Sequence, residues 1–428
     1  MVAIENKLKR YEKYKESGVK WLGEIPEHWQ VRPGFTILSE SKEKNRGFIE
    51  KTVLSLSYGN VIVKPKAKLT GLVPESFETY QLVKPGDIII RPTDLQNDKT
   101  SLRTGLAKNN GIITSAYINL RVKKEYFNSF YHYYLHTIDI NKVIYGLGSG
   151  LRQNISFWDF KRFPFPFPPL SEQTKIAQFL DDKTTKIDDA IAIKEQQINL
   201  LKERNQILIH KAVTRGLDDS VALKDSGVEW IGEIPEHWEV LFNRRIFREN
   251  TKRPFDINEL PLSLSQVDGV IPSNSMKERS LSPSHRNNFK LCVPGDLIVN
   301  RFKGHLGVFF KSNYRGLVTF HYGVFEPEKN IETKYFELLF HTNIYKNVYA
   351  GASNGMTIGL QNLSNQNFYD VKSIVPPHSE QIKIIEHCDF ISEKLGSLIS
   401  CKQQEIEKLK EYKSSLINGV VTGKVRVC

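Results

Sequence analysis

The chain has 428 residues, 40% hydrophobic and 25% charged, a composition that suits a globular protein with two or three domains. No apolar run approaches the ~18–20 residues that span a bilayer, and the segment from Met1 to Lys7 lacks the apolar core of a secretion signal. The expectation is therefore a cytoplasmic protein without a membrane segment. Cys292, Cys388, Cys401 and Cys428 have no C-x-x-C spacing, which argues against a zinc site or a disulfide frame, and a net charge of +12 points to a polyanion partner.

Residues 1–16 form a polar, lysine-rich leader with no obvious core face. Residues 17–29 then read S-G-V-K-W-L-G-E-I-P-E-H-W, a packed, irregular segment by its Gly and Pro content. Short β-rich runs follow at Thr52–Tyr58, Asp87–Ile90 and Gly111–Thr114, and Glu125–Leu135 reads as an aromatic helix. The prolines of Arg162–Pro169 predict an extended stretch outside helix and sheet. Ser171 is the expected N-cap of a long helix that reaches Gly216, its C-terminal cap. Its seam is Ile187, Ile191, Ile198, Leu201, Leu208 and Ala212, at coiled-coil spacing. Such a rod is about 60 Å long.

The second half repeats this order. Residues 226–238 read S-G-V-E-W-I-G-E-I-P-E-H-W, at an offset of 209, and hold two of the five tryptophans as the first copy does. Pro294-Gly295-Asp296 matches Pro85-Gly86-Asp87, Gln361-Asn362-Leu363-Ser364 echoes Gln153-Asn154-Ile155-Ser156, and Pro376-Pro377-His378-Ser379-Glu380-Gln381 opens a second long helix as Pro168 to Gln173 opens the first. The second seam reads Ile384, Cys388, Ile391, Leu395, Leu398, Leu409, Tyr412 and Leu416. The repeat unit is a Trp phrase, a globule, a proline-rich step and a long helix, which is the mark of duplication. The fold class that follows is α+β: two mixed α/β globules separated by two long antiparallel helices, with an internal pseudo-two-fold repeat; the alternatives are that each helix packs on its own globule or dimerises with another chain. In the antiparallel arrangement the second helix ends beside the first Trp phrase, so the two ends of the chain should be neighbours.

Catalytic motifs are scarce. There is no phosphate-binding G-x-x-x-x-G-K-[ST], no dinucleotide G-x-G-x-x-G, and no N-P-P-Y or D-P-P-Y of an amino-methyltransferase. Asp181-Asp182-Lys183 lies inside the first rod and reads as a solvated face. His28 and His237, beside Glu27 and Glu236, read as structural histidines. No catalytic, cofactor or metal residue is therefore assigned. Binding residues are more plentiful in the loops after the strands: Arg91, Thr93, Lys99, Arg103, Arg152, Gln153 and Asn154 in the first half. In the second half they are Arg286, Asn300, Arg301, Lys303, His305, Asn354, Thr357, Gln361 and Asn362. Arg and Lys read guanine edges or neutralise phosphates, and Asn and Gln pair with adenine edges. Each alone is an ordinary surface group; together they make a candidate DNA-reading face.

Along its whole length the chain resembles the DNA-specificity subunit of type I restriction–modification enzymes, through the doubled Trp phrase, the Pro-Gly-Asp strands, the Gln-Asn-Ile/Leu-Ser segments and the Pro-Pro-x-Ser-Glu-Gln helix openings. The resemblance implies target recognition domains at 1–165 and 217–375, carrying the Trp segments, and spacer helices at 166–216 and 376–428. It implies double-stranded DNA as ligand, read as two half-sites. Further implied partners are methyltransferase subunits, two of them, which bind S-adenosylmethionine, and ATP-dependent restriction and translocation subunits. This chain would then carry no cofactor and no catalytic group. A self-sufficient DNA-modifying enzyme and a coiled-coil adaptor without DNA function are the alternatives.

Overall fold

A computed structural model describes residues 9–65, 77–95, 97, 102–147, 154–252, 259–276, 289–354 and 362–428. The chain divides into two compact units, residues 1–194 with 403–428, and residues 195–402. Each contains one globule and parts of both long helices. Among the described residues no helix is long and apolar enough to cross a membrane.

In the first unit a four-stranded antiparallel sheet runs in the order Leu38–Glu40, Ile118–Val122, Ile88–Ile90, Thr104–Leu106. Ile88, Ile89 and Ile90 are all buried, as a central strand covered on both faces requires. The Pro-Gly-Asp turn before this strand is locked by Asp87, whose carboxylate accepts the Lys84 amide at 2.9 Å and Arg121 Nε at 3.0 Å. The helix Asn128–Ile140 presses Phe130, Tyr131, Tyr134, Leu135 and Ile138 into the core. The second unit repeats the sheet as Phe247–Glu249, Tyr322–Pro327, Leu297–Asn300, Phe309–Lys311. Asp296 plays the Asp87 part, accepting the Val293 amide at 3.0 Å.

Each Trp phrase is a small antiparallel hairpin rather than an irregular segment, Tyr14–Glu16 against Glu24–Pro26 and Leu223–Asp225 against Glu233–Pro235. The leader has a core face after all: Tyr11 is buried and meets the Trp29 ring edge-on at 5.9 Å. The proline-rich step is also ordered differently from expectation. Pro164–Phe167 is a strand that pairs with Gln30–Pro33. A two-stranded ribbon tolerates proline because only one edge of each strand needs donors. The counterpart is Lys372–Val375 on Glu239–Phe242.

The first long helix spans Leu170–Arg215 and the second His378–Val421. The first begins one residue before Ser171, and the Pro169 carbonyl accepts the amides of Glu172 and Gln173, so Pro169 and not Ser171 takes the capping place. Within the first unit Asp188 pairs with Lys413 at 2.6 Å and Lys194 with Glu405 at 2.5 Å, which makes the helices antiparallel. Within the second unit Asn205 lies 3.5 Å from Ser392. Ile187, Ile198, Ala212, Ile384, Cys388 and Leu416 are buried along the seam, whereas Leu398 is 46% exposed and Ile406 is buried instead. A 3.6-residue helix drifts against a strict 3.5-residue pattern, and this moves Leu398 outward. Residues 9 and 426 pair within the first unit, with the Arg426 amide donating to the Lys9 carbonyl at 2.7 Å.

The joint between Trp phrase and helices is the same in both units. Trp29 Nε1 donates to Glu172 at 2.5 Å and Trp238 Nε1 to Glu380 at 2.8 Å. His28 and His237 reach the same carboxylates at 3.1 and 2.6 Å, so they are structural, though their partners are not the neighbouring Glu27 and Glu236. Gln173 accepts the Phe127 amide at 3.0 Å and Gln381 the Glu332 amide at 2.8 Å, each just ahead of a globule helix. Under each indole ends the other long helix, at Gly216 (φ +79°) and Gly423 (φ +75°). A β-carbon on Gly423 would strike the Pro26 ring and lie 3.1 Å from Trp29.

Gly423→Ala therefore meets both a left-handed backbone and a wall. It should destabilise the protein by about 2 kcal/mol or more in urea unfolding. Gly18→Ala, with φ +72° and nothing within 4 Å, carries only the backbone cost of about 1 kcal/mol.

On the helix Asn128–Ile140, His132 and His136 stack at 6.1 Å, with His132 Nε2 and His136 Nδ1 buried and without a partner among the described residues. Burial, with Lys108 and Lys413 adding repulsion, lowers His132 to about 3 and His136 to about 4. Both are neutral when folded, while in the unfolded chain they protonate near 6.5. The unfolded state takes up protons first as pH falls, so stability should decline from pH ~6.5 towards 4, by up to about 1.4 kcal/mol per pH unit for each ring. Unfolding free energies across this range, with His132→Gln flattening the slope, check the assignment.

Candidate nucleic-acid interface

Both globules build the same frame at the end of their central strand. In the first unit, the chain leaves the strand at Ile90 into a loop whose Pro92 carbonyl accepts the Ile155 amide at 3.0 Å. In the second, the Arg301 carbonyl accepts the Leu363 amide at 2.9 Å. Two separate segments are thereby tied edge to edge, and each brings its own polar side chains to the same place. The shared serines serve the frame: the Ser156 amide donates to Asp159 at 2.6 Å, and Ser364 Oγ accepts the Asn367 amide at 3.1 Å, each opening a short helix.

In the first unit this frame gathers Arg91, Thr93 and Asn154. Asn154 Oδ1 accepts the Asp94 amide at 3.1 Å, and Asp94 accepts from Asn97 Nδ2 at 2.8 Å; Thr93, Asp94, Asn97 and Asn154 line one recess. Asp94 takes a left-handed backbone (φ +62°). A carboxylate here can accept from a cytosine amino group, and the asparagines can pair with adenine. Arg103 is placed differently. Its side chain is fully buried, with Nη1 on the Thr93 carbonyl at 2.6 Å, Nη2 on the Asp94 carbonyl at 3.0 Å and Nε on the Tyr145 hydroxyl at 3.2 Å. It holds the loop from below. Its own amide donates to Asp139 at 2.5 Å, a carboxylate whose pKa burial raises.

In the second unit the frame gathers Asn300, Arg301, Lys303, His305, Asn354 and Asn362. Asn300 caps the 3₁₀ turn Arg301–Leu306 through the Phe302 amide at 3.2 Å. Arg301 Nη2 is held by Asn365 at 2.6 Å and by Glu249 at 3.4 Å, while its Nε is buried without a partner among the described residues. Asn354 and Asn362 exchange backbone hydrogen bonds at 3.0 and 2.8 Å, closing the base of the second loop. Lys303 is exposed, and His305 is half-buried with Nδ1 unpartnered among the described residues. Sequence reasoning passed over an aromatic cluster here. Phe302, 45% exposed, lies 5.3 Å from His321, whose ring is tilted at 39° to that of the 49% exposed Phe320, 3.9 Å away. The alternation Arg301-Phe302-Lys303 is the signal that could have found it, since basic and aromatic groups together suit nucleic acid. Lys99, Arg152, Gln153, Arg286, Thr357 and Gln361 lie outside the described residues.

No group of three or more metal-ligating side chains occurs among the described residues. The cysteines are unpaired, and burial pushes the Cys292 and Cys388 thiols up to about 11, away from reactive thiolates.

Residues 25–203 match the family model of the type I restriction modification DNA specificity domain. By this match, residues 25–203 are similar to type I specificity subunits. The chain is 24% identical to the type I restriction enzyme MjaX specificity subunit of Methanocaldococcus jannaschii, over 97% of this chain and 98% of that protein. It is 23% identical to the EcoKI specificity subunit of Escherichia coli, over 86% of this chain and 82% of that one. A solved chain from work on complex assembly and conformational transition of the type I restriction–modification system superposes with a TM-score of 0.65 at 11% identity, covering 93% of this chain and 98% of that one. The α+β fold with long helices is thus shared with that solved chain.

Arg103→Leu should leave the Thr93 and Asp94 carbonyls short of donors and cost about 1–3 kcal/mol in urea unfolding. Lys303→Ala should leave stability within about 0.5 kcal/mol, yet lower the salt dependence of DNA binding by about one phosphate contact.

Proposed function

We propose that this chain is the non-catalytic reader of a bipartite, asymmetric DNA site, with one half-site taken by each globule. The observation that supports this most strongly is one frame with two sets of side chains. The Pro92–Ile155 and Arg301–Leu363 backbone bonds repeat, while the groups displayed around them differ, with Thr93, Asp94 and Asn154 on one side and Arg301, Lys303 and His305 on the other. Equal frames with unequal donors and acceptors are what two different half-sites call for. The net charge of +12 suits the phosphate backbone that every such site shares.

In this reading, methyltransferase subunits dock on the long helices. Ile193, Leu200 and Ile207 support it, since they recur at sevenfold spacing on one helix and are each more than half exposed. Two such subunits would bind S-adenosylmethionine, and ATP-dependent restriction subunits would join them in the cytoplasm. The helices would act as the spacer between half-sites.

The purified chain alone should neither methylate nor cut DNA, and should direct both on addition of the partner subunits. Methylation by the chain alone would favour a self-sufficient enzyme, and absence of salt-dependent DNA affinity would favour an adaptor. Matched seven-residue insertions beside Asn205 and Ser392 add about 10 Å of helix, or roughly 3 base pairs. Methylation mapping should then find the spacer lengthened and both half-site sequences unchanged. Altered half-site sequences would count against the spacer role.

A further inference from the structure

We propose that Tyr58 is a specificity-determining DNA contact of the first unit, its ring packing against a base of that unit's half-site. This rests on the DNA-reading function proposed above. Strands Leu54–Ser57 and Asn60–Val63 are joined by a two-residue turn, Tyr58-Gly59. Both turn residues take the left-handed backbone, at φ +46° and +78°. Such turns favour Asn-Gly or Gly-Gly, because a β-carbon is strained there. Tyrosine is thus a poor choice for the turn itself. It is also 88% exposed, and its ring and hydroxyl make no hydrogen bond, ion pair or ring contact among the described residues. A bulky residue held in a strained backbone where the turn favours a small one is a candidate for a contact with something outside the chain.

Its position names the partner. Gly59 is turned onto the start of the strand Thr104–Leu106: a β-carbon there would lie 3.1 Å from Leu102 Cδ1 and 3.6 Å from the Thr104 carbonyl. The residue between them is Arg103, whose guanidinium holds the Thr93 and Asp94 carbonyls. Tyr58 therefore stands at the same end of the sheet as the recess of Thr93, Asp94, Asn97 and Asn154.

The second unit repeats the placement with a different residue. Its hairpin Leu262–Ser265 and Gly269–Pro272 rests through Gly269 on Phe310, 3.1 Å from a β-carbon built there. Its tip shows Val267, 87% exposed. That turn is longer, Gln266-Val267-Asp268, and none of its three residues takes a left-handed backbone. Two tips in matching places carry unlike apolar groups, as a variable reading element would. In duplex DNA the base faces are covered by their neighbours, and an apolar ring meets a base edge, above all the thymine methyl, in the major groove.

The test uses the full chain with its methyltransferase subunits on a randomised DNA library, comparing wild type, Tyr58→Asn and Tyr58→Phe. Asparagine suits the turn, so the Tyr58→Asn chain should melt no lower than wild type. It should lose at least about fivefold in methylation rate on the wild-type site and relax its preference at one or two positions of a single half-site. Tyr58→Phe keeps the ring and should retain the preference. An unchanged site in Tyr58→Asn overturns the proposal, as does equal weakening on every sequence, which would mark a backbone contact. Loss of the preference in Tyr58→Phe equal to that in Tyr58→Asn overturns packing by the ring. A wild-type complex with no sequence preference would defeat the DNA-reading function itself, a result separate from any behaviour of the variants.

Discussion

The bond from a tryptophan indole to a glutamate in the first turn of a long helix fixes the geometry of each unit. Trp29 on Glu172 and Trp238 on Glu380 are donor–acceptor pairs with one ionisable partner, stronger than neutral pairs and placed at the positive end of a helix dipole. The next residue, Gln173 or Gln381, caps the approach to a globule helix. Adjacent residues on one helix turn therefore hold the Trp phrase and the globule at once. The end of the other helix is brought under the indole by a glycine. Three parts of the fold meet in a space of a few side chains, which explains why so little of this phrase differs between the copies.

Electrostatics and burial divide the labour differently away from the joint. The carboxylates of Asp87 and Asp296 are used inward, on turn amides and on Arg121 or Asn250. Positive charge on the reading loops is partly anchored, as Arg301 is by Asn365 and Glu249, and partly left in solvent, as Lys303 is. An anchored guanidinium has lost its rotamer freedom before it meets a ligand, so less entropy remains to be lost on binding. A free lysine adds charge without geometry. The two kinds of group suit, respectively, discrimination and attraction.

How much of this could be read from residues alone depended on whether the deciding partner was near in sequence. The duplication, the long helices, the Gly216 cap and the Pro-Gly-Asp strands were legible because repetition and periodicity are local signals. The His28 bond was not, since its carboxylate lies 144 residues away and Glu27 beside it looked sufficient. Pro164–Phe167 was misjudged because proline excludes a strand from a sheet interior but not from a two-stranded ribbon. Arg103 carried no mark of burial: its partners are mostly backbone carbonyls, which every residue has. Leu398 and Ile406 exchanged places through helical drift that heptad counting ignores. The loop side chains were the least legible, because nothing in spacing tells a brace such as Arg103 from an exposed group such as Lys303.

The ties that set the reading frame are main-chain to main-chain, at Pro92–Ile155 and Arg301–Leu363. A bond of that kind is indifferent to the side chains of the residues that make it. One such carbonyl belongs to a proline and the other to an arginine, and the geometry is the same. Backbone geometry and side-chain identity are thereby uncoupled at these two ties. Side chains around these ties, apart from braces such as Arg103 and Arg301, can therefore change while the backbone geometry stays the same.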